Sequence, residues 1–532
     1  MPKSDSSHLP FYSFERIAAG ARGAVCTSHP LASGAGLEML KRGGNAFDAA
    51  IAAGAVLAVV EPAASQLGGD VFMVVYPDGE GRAYALNGSG RAPGAATSDG
   101  YPDGVPARGP LAAAVPGAVH GWCEASRRWG ALPLKDVLAP AIALARDGFP
   151  MGYSLVRELG LFGDVLAAYP YSRAQYLSNE PVVGATFRQP DLARTLEAVA
   201  SGGAEAFYTG ETAREIARSI QEQGGLMSET DLAEHRSVVT APISTTYRGR
   251  EVLGQPPVSQ GHILLQELNI VEQFDMRSLG LLTADSIHVS IEAKKLAFAD
   301  RHRYLSDPEF NDVPIEWLLS KEYAQERAGM VDMARAEARP EAGRQFSYGT
   351  DTTYLAAADA DGNAVSWIQS VFARFGSGVV AGRTGVLMNN RMNGFTLEPG
   401  HPNTLGPGKR PAHTLNAYLV MRDGKPWIVG GTPGADYQVQ TNLQVITHLV
   451  DHGLNVAEAN DAPWWASEQG ASVRVEGDMP APAVEGLRER GHEIETIGAW
   501  QGGRTVQLIE FQPGGELLAS SDLRAEGHAA VW

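Results

Sequence analysis

The stretch AAIAAGAVLAVVEPAA, residues 49–64, limits most sharply how this chain can fold. It is apolar and rich in alanine and glycine, and Glu61-Pro62 stops it. It is too short to span a bilayer comfortably, so it must be buried inside protein as a helix. Its many alanines permit close helix–helix or helix–sheet packing. Asn45 stands where an N-cap belongs, and residues 31–41 form a preceding helix that Gly43-Gly44 ends.

Elsewhere helices and strands come in blocks, not in strict βαβ alternation. GAVCTSH reads as a short strand, and SQLGGDVFMVVYPDGEGRAYALNGS as turn, strand, hairpin tip at Pro77-Asp78-Gly79 and return strand. Residues 132–237 are mostly helical in pattern, 241–254 strand-like, and 263–307 helical again. Residues 310–349 are charged and irregular, and read as an exposed connector rich in Arg, Glu, Pro and Gly. From residue 352 the chain becomes strand-rich, opening on a hairpin whose arms TYLAAAD and AVSWIQS flank Asp361-Gly362-Asn363. This order implies an α+β class, with a layered αββα arrangement.

With 532 residues, 44% hydrophobic and 20% charged, the chain is ordinary globular material. Its net charge of −18 and the lack of a Lys/Arg run exclude the basic footprint that nucleic-acid binding needs. The N-terminus, MPKSDSSHLPFYSFERIAAG, has no continuous apolar core of a secretory signal, so a cytoplasmic protein with no membrane partner is expected. Cys26 and Cys123 allow one disulfide at most.

Most chemical signatures are missing. There is no H-E-x-x-H or C-x-x-C, so no catalytic metal is expected. GSGVVAG is not G-x-G-x-x-G, and no cofactor is expected. Asp359, Asp361 and Gly362 resemble part of an EF-hand loop, but the turn reading is stronger. His302 sits on a charged helix in a surface or capping role. Two glycine-rich turns stand out, LGGD at 67–70 and GGTPGA at 430–435. Paired glycines let backbone N–H groups approach a ligand, and two such groups make an oxyanion hole; tight turns between strands are the plainer reading.

Taken together, LEMLKRGGNAFDAAIAAGAVLAVVEPAASQLGGDVFMV, LPLKDVLAPAIALARDGF, KLAFADRHRYLSDP, DTTYLAAADADGNAVSW, FGSGVVAGRTGVLMNN, PGKRP and GTPGAD resemble the γ-glutamyltransferase family of N-terminal-nucleophile hydrolases. The likeness runs over nearly the whole chain. It implies a four-layer αββα fold and a proenzyme that cuts itself at Asp351–Thr352, giving 1–351 and 352–532 as one αβ heterodimer, with pairing into (αβ)2 an open option. Thr352 is then the nucleophile, and its freed α-amine the base that an unassisted hydroxyl lacks. By the same resemblance the N–H groups of Gly434 and Ala435 hold the oxyanion, while Thr353 and Ser370 orient Thr352. Asn390 lies near the site. Ala435 replaces a glycine common in the family, and an N–H remains.

The acyl pocket departs from the family. The arginine that holds a glutamyl carboxylate falls at Ser89, with Arg91 two residues on; the serine pair becomes His413-Thr414. The acid that holds the α-amine is Gly394, and neighbouring amide positions are Arg391 and Phe372. Losing an acid and gaining Arg391 and His413 points to a small amide substrate with a carboxylate but no α-amine, as in oxamate amidohydrolase or glutaryl-type acylases. The plainer alternative is that Arg391 pairs with an acid and the glutamyl group binds otherwise. Competing readings are an inactive relative serving as a scaffold, which gives no reason to keep Thr352, Ser370 and Gly434, and an asparaginase-like threonine hydrolase, which leaves the Leu-Gly-Gly and Pro-Gly segments unexplained.

Overall fold

The computed structural model describes residues 9–338 and 352–532. Two seven-stranded sheets, each antiparallel throughout, form its centre. In the first sheet the hairpin Thr353–Asp359 and Ala364–Ser370 lies in the middle, flanked by Gly23–Thr27 on one side and Asp70–Tyr76 on the other. Lys425–Gly431 is the central strand of the second sheet, between Tyr418–Arg422 and Gln507–Phe511.

Strand alternation builds the layers. Tyr354, Ala356 and Ala358 meet Phe72, Val74, Val429 and Ile509 in the core between the sheets. Leu355 and Ala357, pointing the other way, join Val71, Met73 and Trp367 under the helices. Successive side chains on a strand alternate faces, so a run buried on both sides must be covered twice. The second sheet is covered by Gly261–Val271, Ala284–Tyr304 and Tyr437–Val450. The expected αββα order is present.

Helix Ala46–Val60 is buried along its whole length. Asn45 caps it, accepting from the N–H groups of Phe47 and Asp48, while Asp48 accepts from Asn45. A Cβ on Gly54 would stand 2.9 Å from the Trp367 ring, so small residues are what let helix and sheet touch. The turn after Thr353–Asp359 is tied down by Asp359, whose carboxylate accepts from Asp361 N, Asn363 N and, at the head of this helix, Ala46 N.

The connector reading needs correction. Residues 315–328 fold as two short helices, Ile315–Leu318 and Lys321–Ala328, with Leu318, Tyr323 and Ala324 buried. Trp317 stacks on Tyr323 with centroids 4.0 Å apart, a contact that polar composition conceals. Both cysteines are free. No helix among the described residues is long and apolar enough to cross a membrane.

Candidate active site

Thr352 stands immediately ahead of the central hairpin and is 8% exposed. Its hydroxyl donates to Ser370 Oγ at 3.2 Å, and that oxygen also accepts from Phe372 N at 2.8 Å. Hairpin register does this: Thr353 pairs with Gln369, which brings the start of one arm against the end of the other. Thr353 turns elsewhere, its hydroxyl 2.8 Å from Ser28 Oγ. Ser28 in turn donates to Glu61 Oε2 at 2.8 Å. Neither Ser28 nor Glu61 carries a sequence signal; they arrive from the first strand's exit and the end of the alanine-rich helix. Asp351 lies outside the described residues.

The second glycine-rich turn leads from the strand Lys425–Gly431 into helix Tyr437–Val450. Gly434 has φ 124° and Ala435 φ 49°, both in the left-handed half of backbone space. Neither N–H has a partner among the described residues. The turn is braced from below by Arg301, one residue before the His302 singled out in the sequence. Its guanidinium donates to Asp436 at 2.6 and 3.2 Å and to Gln260 Oε1 at 2.8 Å, and Gln260 Nε2 donates to the carbonyls of Ala435 and Thr414. Pro433, Thr352, Ser28 and Glu61 share the wall of one cavity of about 550 Å³.

The first glycine pair does something different. A Cβ on Gly69 would lie 2.4 Å from the Ser370 carbonyl oxygen, and one on Gly68 2.1 Å from that of Leu387. These glycines are present for close backbone contact behind Ser370, and their carbonyls accept from Gly117, Ala118 and Asn389. Gly68 N donates to Gln66 Oε1 and Gly69 N to Gln66 O, so neither glycine N–H of LGGD is free for an oxyanion.

The structure gives the five expected pocket residues these partners. Arg391 is fully buried and paired: its Nε donates to Asp70 Oδ2 at 2.9 Å. Asp70 therefore cancels most of the positive charge that the sequence implied. Burial pushes the Asp70 carboxyl above its ordinary range despite the guanidinium, and pulls Arg391 below its own. Yet Nη1 and Nη2 of Arg391 have no hydrogen-bond partner among the described residues, and the Phe372 ring covers the guanidinium at 4.5 Å. His413 is also buried, its ring 4.9 Å from that of Phe72 and both nitrogens unpartnered. Burial, with Arg391 and Arg410 nearby, holds it well below the usual imidazole range, so it is neutral and no cation. Arg91 is occupied by both carboxylate oxygens of Glu309 and by Gly408 O. Asn390 is a clamp, accepting from Ala373 N and donating to Ala107 O. Thr414 is buried beside His413 and its carbonyl anchors Gln260.

One trio of described residues has metal-type spacing, His288, Glu292 and His492. Its facing atoms already have protein partners: the two rings bond each other at 2.8 Å, and Glu292 holds Lys295 at 2.8 Å.

A model of the γ-glutamyltranspeptidase family matches residues 32–532. The chain belongs to that family. It is 39% identical over 524 residues to the glutathione hydrolase-like YwrD proenzyme of Bacillus subtilis, covering 96% of this chain and 98% of the relative. It is 38% identical over 537 residues to the glutathione hydrolase proenzyme of Escherichia coli, covering 95% and 90%. The crystal structure of cephalosporin acylase from Bacillus halodurans superposes with a TM-score of 0.92 at 37% identity, covering 99% of each chain. Other γ-glutamyltranspeptidase relatives carry the names acylase ACY 1 proenzyme, from Pseudomonas, and oxamate amidohydrolase proenzyme, from Klebsiella pneumoniae. This protein is accordingly an amide-hydrolase-type enzyme of the γ-glutamyltranspeptidase family, and the scaffold reading falls away.

Proposed function

We propose that the chain is a proenzyme that cuts itself at Asp351–Thr352 and then uses Thr352 to hydrolyse, or transfer to an amine, the acyl group of a small carboxylate-bearing amide. The observation that carries this is the donation of the Thr352 hydroxyl to Ser370 at the head of the central hairpin. In the first step Thr352 Oγ attacks the Asp351 carbonyl carbon. The C–N bond breaks as the C–O bond forms, and the hydroxyl proton passes to the departing nitrogen, which becomes the α-amine. Water then cleaves the ester, leaving a carboxylate on Asp351 and the hydroxyl on Thr352. The freed amine now takes the proton when Thr352 attacks a substrate carbonyl, and the N–H groups of Gly434 and Ala435 receive the oxyanion.

For the acyl group, the spare Nη donors of Arg391 supply a carboxylate site once the Phe372 ring swings aside. Gly394 offers no carboxylate to an ammonium. An acyl group with a terminal carboxylate and no α-amine, oxamate-like or glutaryl-type, fits this arrangement. A γ-glutamyl amide is the second reading, favoured by the Asp70 carboxylate that already balances Arg391.

A denaturing gel tests the first claim: the wild type should give fragments of 351 and 181 residues with Thr352 at the new N-terminus, and Thr352→Ala a single band. A wild-type chain that stays whole removes the catalytic claim. Kinetics test the second. Oxamate-like or glutaryl amides should exceed a γ-glutamyl anilide in kcat/KM by at least ~10-fold, the worth of one charged hydrogen bond. The reverse order returns the substrate to the glutamyl class.

A further inference from the structure

The nucleophile's neighbour is wired to a carboxylate that lines the same cavity as Thr352. Glu61 accepts from Ser28, and Ser28 meets Thr353, both contacts at 2.8 Å. A hydroxyl has one proton to give. Because Ser28 gives its proton to Glu61, the proton in the Ser28–Thr353 contact belongs to Thr353. The polarity of the whole chain is therefore fixed while Glu61 is ionised. If Glu61 takes up a proton on Oε2, the oxygen that Ser28 bonds, that oxygen becomes a donor, Ser28 turns round, and Thr353 is driven to the opposite role. Thr353 is the first residue of the strand that presents Thr352, and once the bond before Thr352 is cut nothing on its N-terminal side holds it.

Resting on the function proposed above, we infer that Glu61 is a positioning residue for Thr352, acting through Ser28 and Thr353, and that it must be ionised for the chain to cut itself efficiently. The surroundings make this a titration near neutrality. One edge of Glu61 faces the cavity, but burial dominates and pushes its carboxyl up to about 7, with the bond from Ser28 and the nearby Thr353 hydroxyl opposing the rise and Glu526 adding to it. The other charged groups on the cavity wall are largely matched with one another. His29 faces Glu526 at 3.8 Å, Arg374 and Arg157 pair with Glu158, and Arg504 and Arg524 pair with Asp522, Arg524 also with Glu476. Burial lowers the His29 imidazole from its ordinary value, away from the Glu61 range.

The uncut chain isolates this effect, because Thr352 there has an amide and no titrating amine. Self-cleavage of the full chain, followed on a denaturing gel across the pH range, should quicken with rising pH about a midpoint near 7. In Glu61→Gln that limb should vanish and the plateau fall by ~10-fold, a tenfold rate being 1.4 kcal/mol. Stability should move in the opposite direction. A raised carboxyl favours the folded state below the ordinary carboxylate range, and that contribution is lost as pH rises through about 7. Glu61→Gln should therefore melt above the wild type in the alkaline range while cutting more slowly, a split that a merely structural residue would not give.

A Glu61→Gln profile with the wild-type midpoint and plateau overturns the inference. So does loss of the limb in His29→Gln, which would move the titration to the imidazole. Should Glu61→Gln fail to accumulate, Ser28→Ala breaks the same chain with Glu61 in place, and a wild-type profile there overturns it equally. Failure of the wild type to cut at all would strike the Thr352 reading instead.

Discussion

LGGD and GGTPGA look alike in the sequence, two paired-glycine turns beside strands. In the fold they do opposite work. The first pair has no room: its glycines press against the carbonyls of Leu387 and Ser370, and so hold the end of the hairpin arm that faces Thr352. In the second the paired Gly430 and Gly431 are packed just as tightly, against Tyr418 and Tyr354, and the difference lies in the turn beyond them, where the N–H groups of Gly434 and Ala435 have no partner among the described residues. A glycine can be selected for the absence of a Cβ or for a backbone rotation, and only the neighbours tell which.

Substitution should separate the two. Gly69→Ala forces a Cβ within 2.4 Å of a backbone oxygen that cannot move alone, so folding itself is at stake. The expected loss is ~3 kcal/mol or more, read as a lowered denaturation midpoint and little processed protein. If the midpoint hardly moves, the close-contact account of LGGD is wrong. Next comes Gly434→Ala, at φ 124° with Gly503 O 2.9 Å from the new Cβ. It should leave a folded chain, with strain of ~1–3 kcal/mol, and lower kcat by ~10²-fold through a displaced N–H. Equal losses in stability and rate at both turns would erase the distinction between them.

Arg301→Gln should act more mildly, removing the pair with Asp436 and the bond to Gln260 without touching substrate. A fall in kcat of ~10-fold with KM little changed is expected, as for a residue that aims donors and does not bind. Ala435→Gly is the smallest. It relieves a left-handed alanine but frees the unfolded chain, so stability should stay within ~1 kcal/mol and kcat nearly constant. A large rate loss would mean that the alanine side chain itself contacts the acyl group.

Elements with strong local patterns were legible. The alanine-rich helix, its Asn45 cap and the hairpin after Thr352 follow from period and turn chemistry, since those forces act within a few residues. The paired helices at 315–328 were misjudged because Trp317–Tyr323 stacking and burial of Leu318 outweigh a polar sequence. In the site, motif order pointed to Thr352, Ser370 and the 434–435 turn; the fold bonds Thr352 to Ser370 and sets Pro433, next to that turn, on the cavity that Thr352 lines. It gave no hint of Ser28, Glu61 or Arg301. Ser28 meets Thr353 across 325 residues and Arg301 meets Asp436 across 135, through side chains that also occur on any surface.

The pocket shows the same division. That Gly394 has no acid and that Arg391 and His413 are present could be read directly from residue identities. Their charges could not. Asp70 neutralises Arg391 because the antiparallel pairing of Asp70 with Ser370 sets its strand beside the hairpin arm, and His413 is neutral because it is buried with Arg391 and Arg410 nearby. Sequence alone determined the layered class and the inventory of functional groups, because these depend on local pattern and composition, and its resemblance to a known family marked the candidate nucleophile. Tertiary structure decided which glycines brace and which donate, which arginine is already paired, and which carboxylate is wired to the threonines. Burial and distance set those properties, and both exist only after the chain has packed.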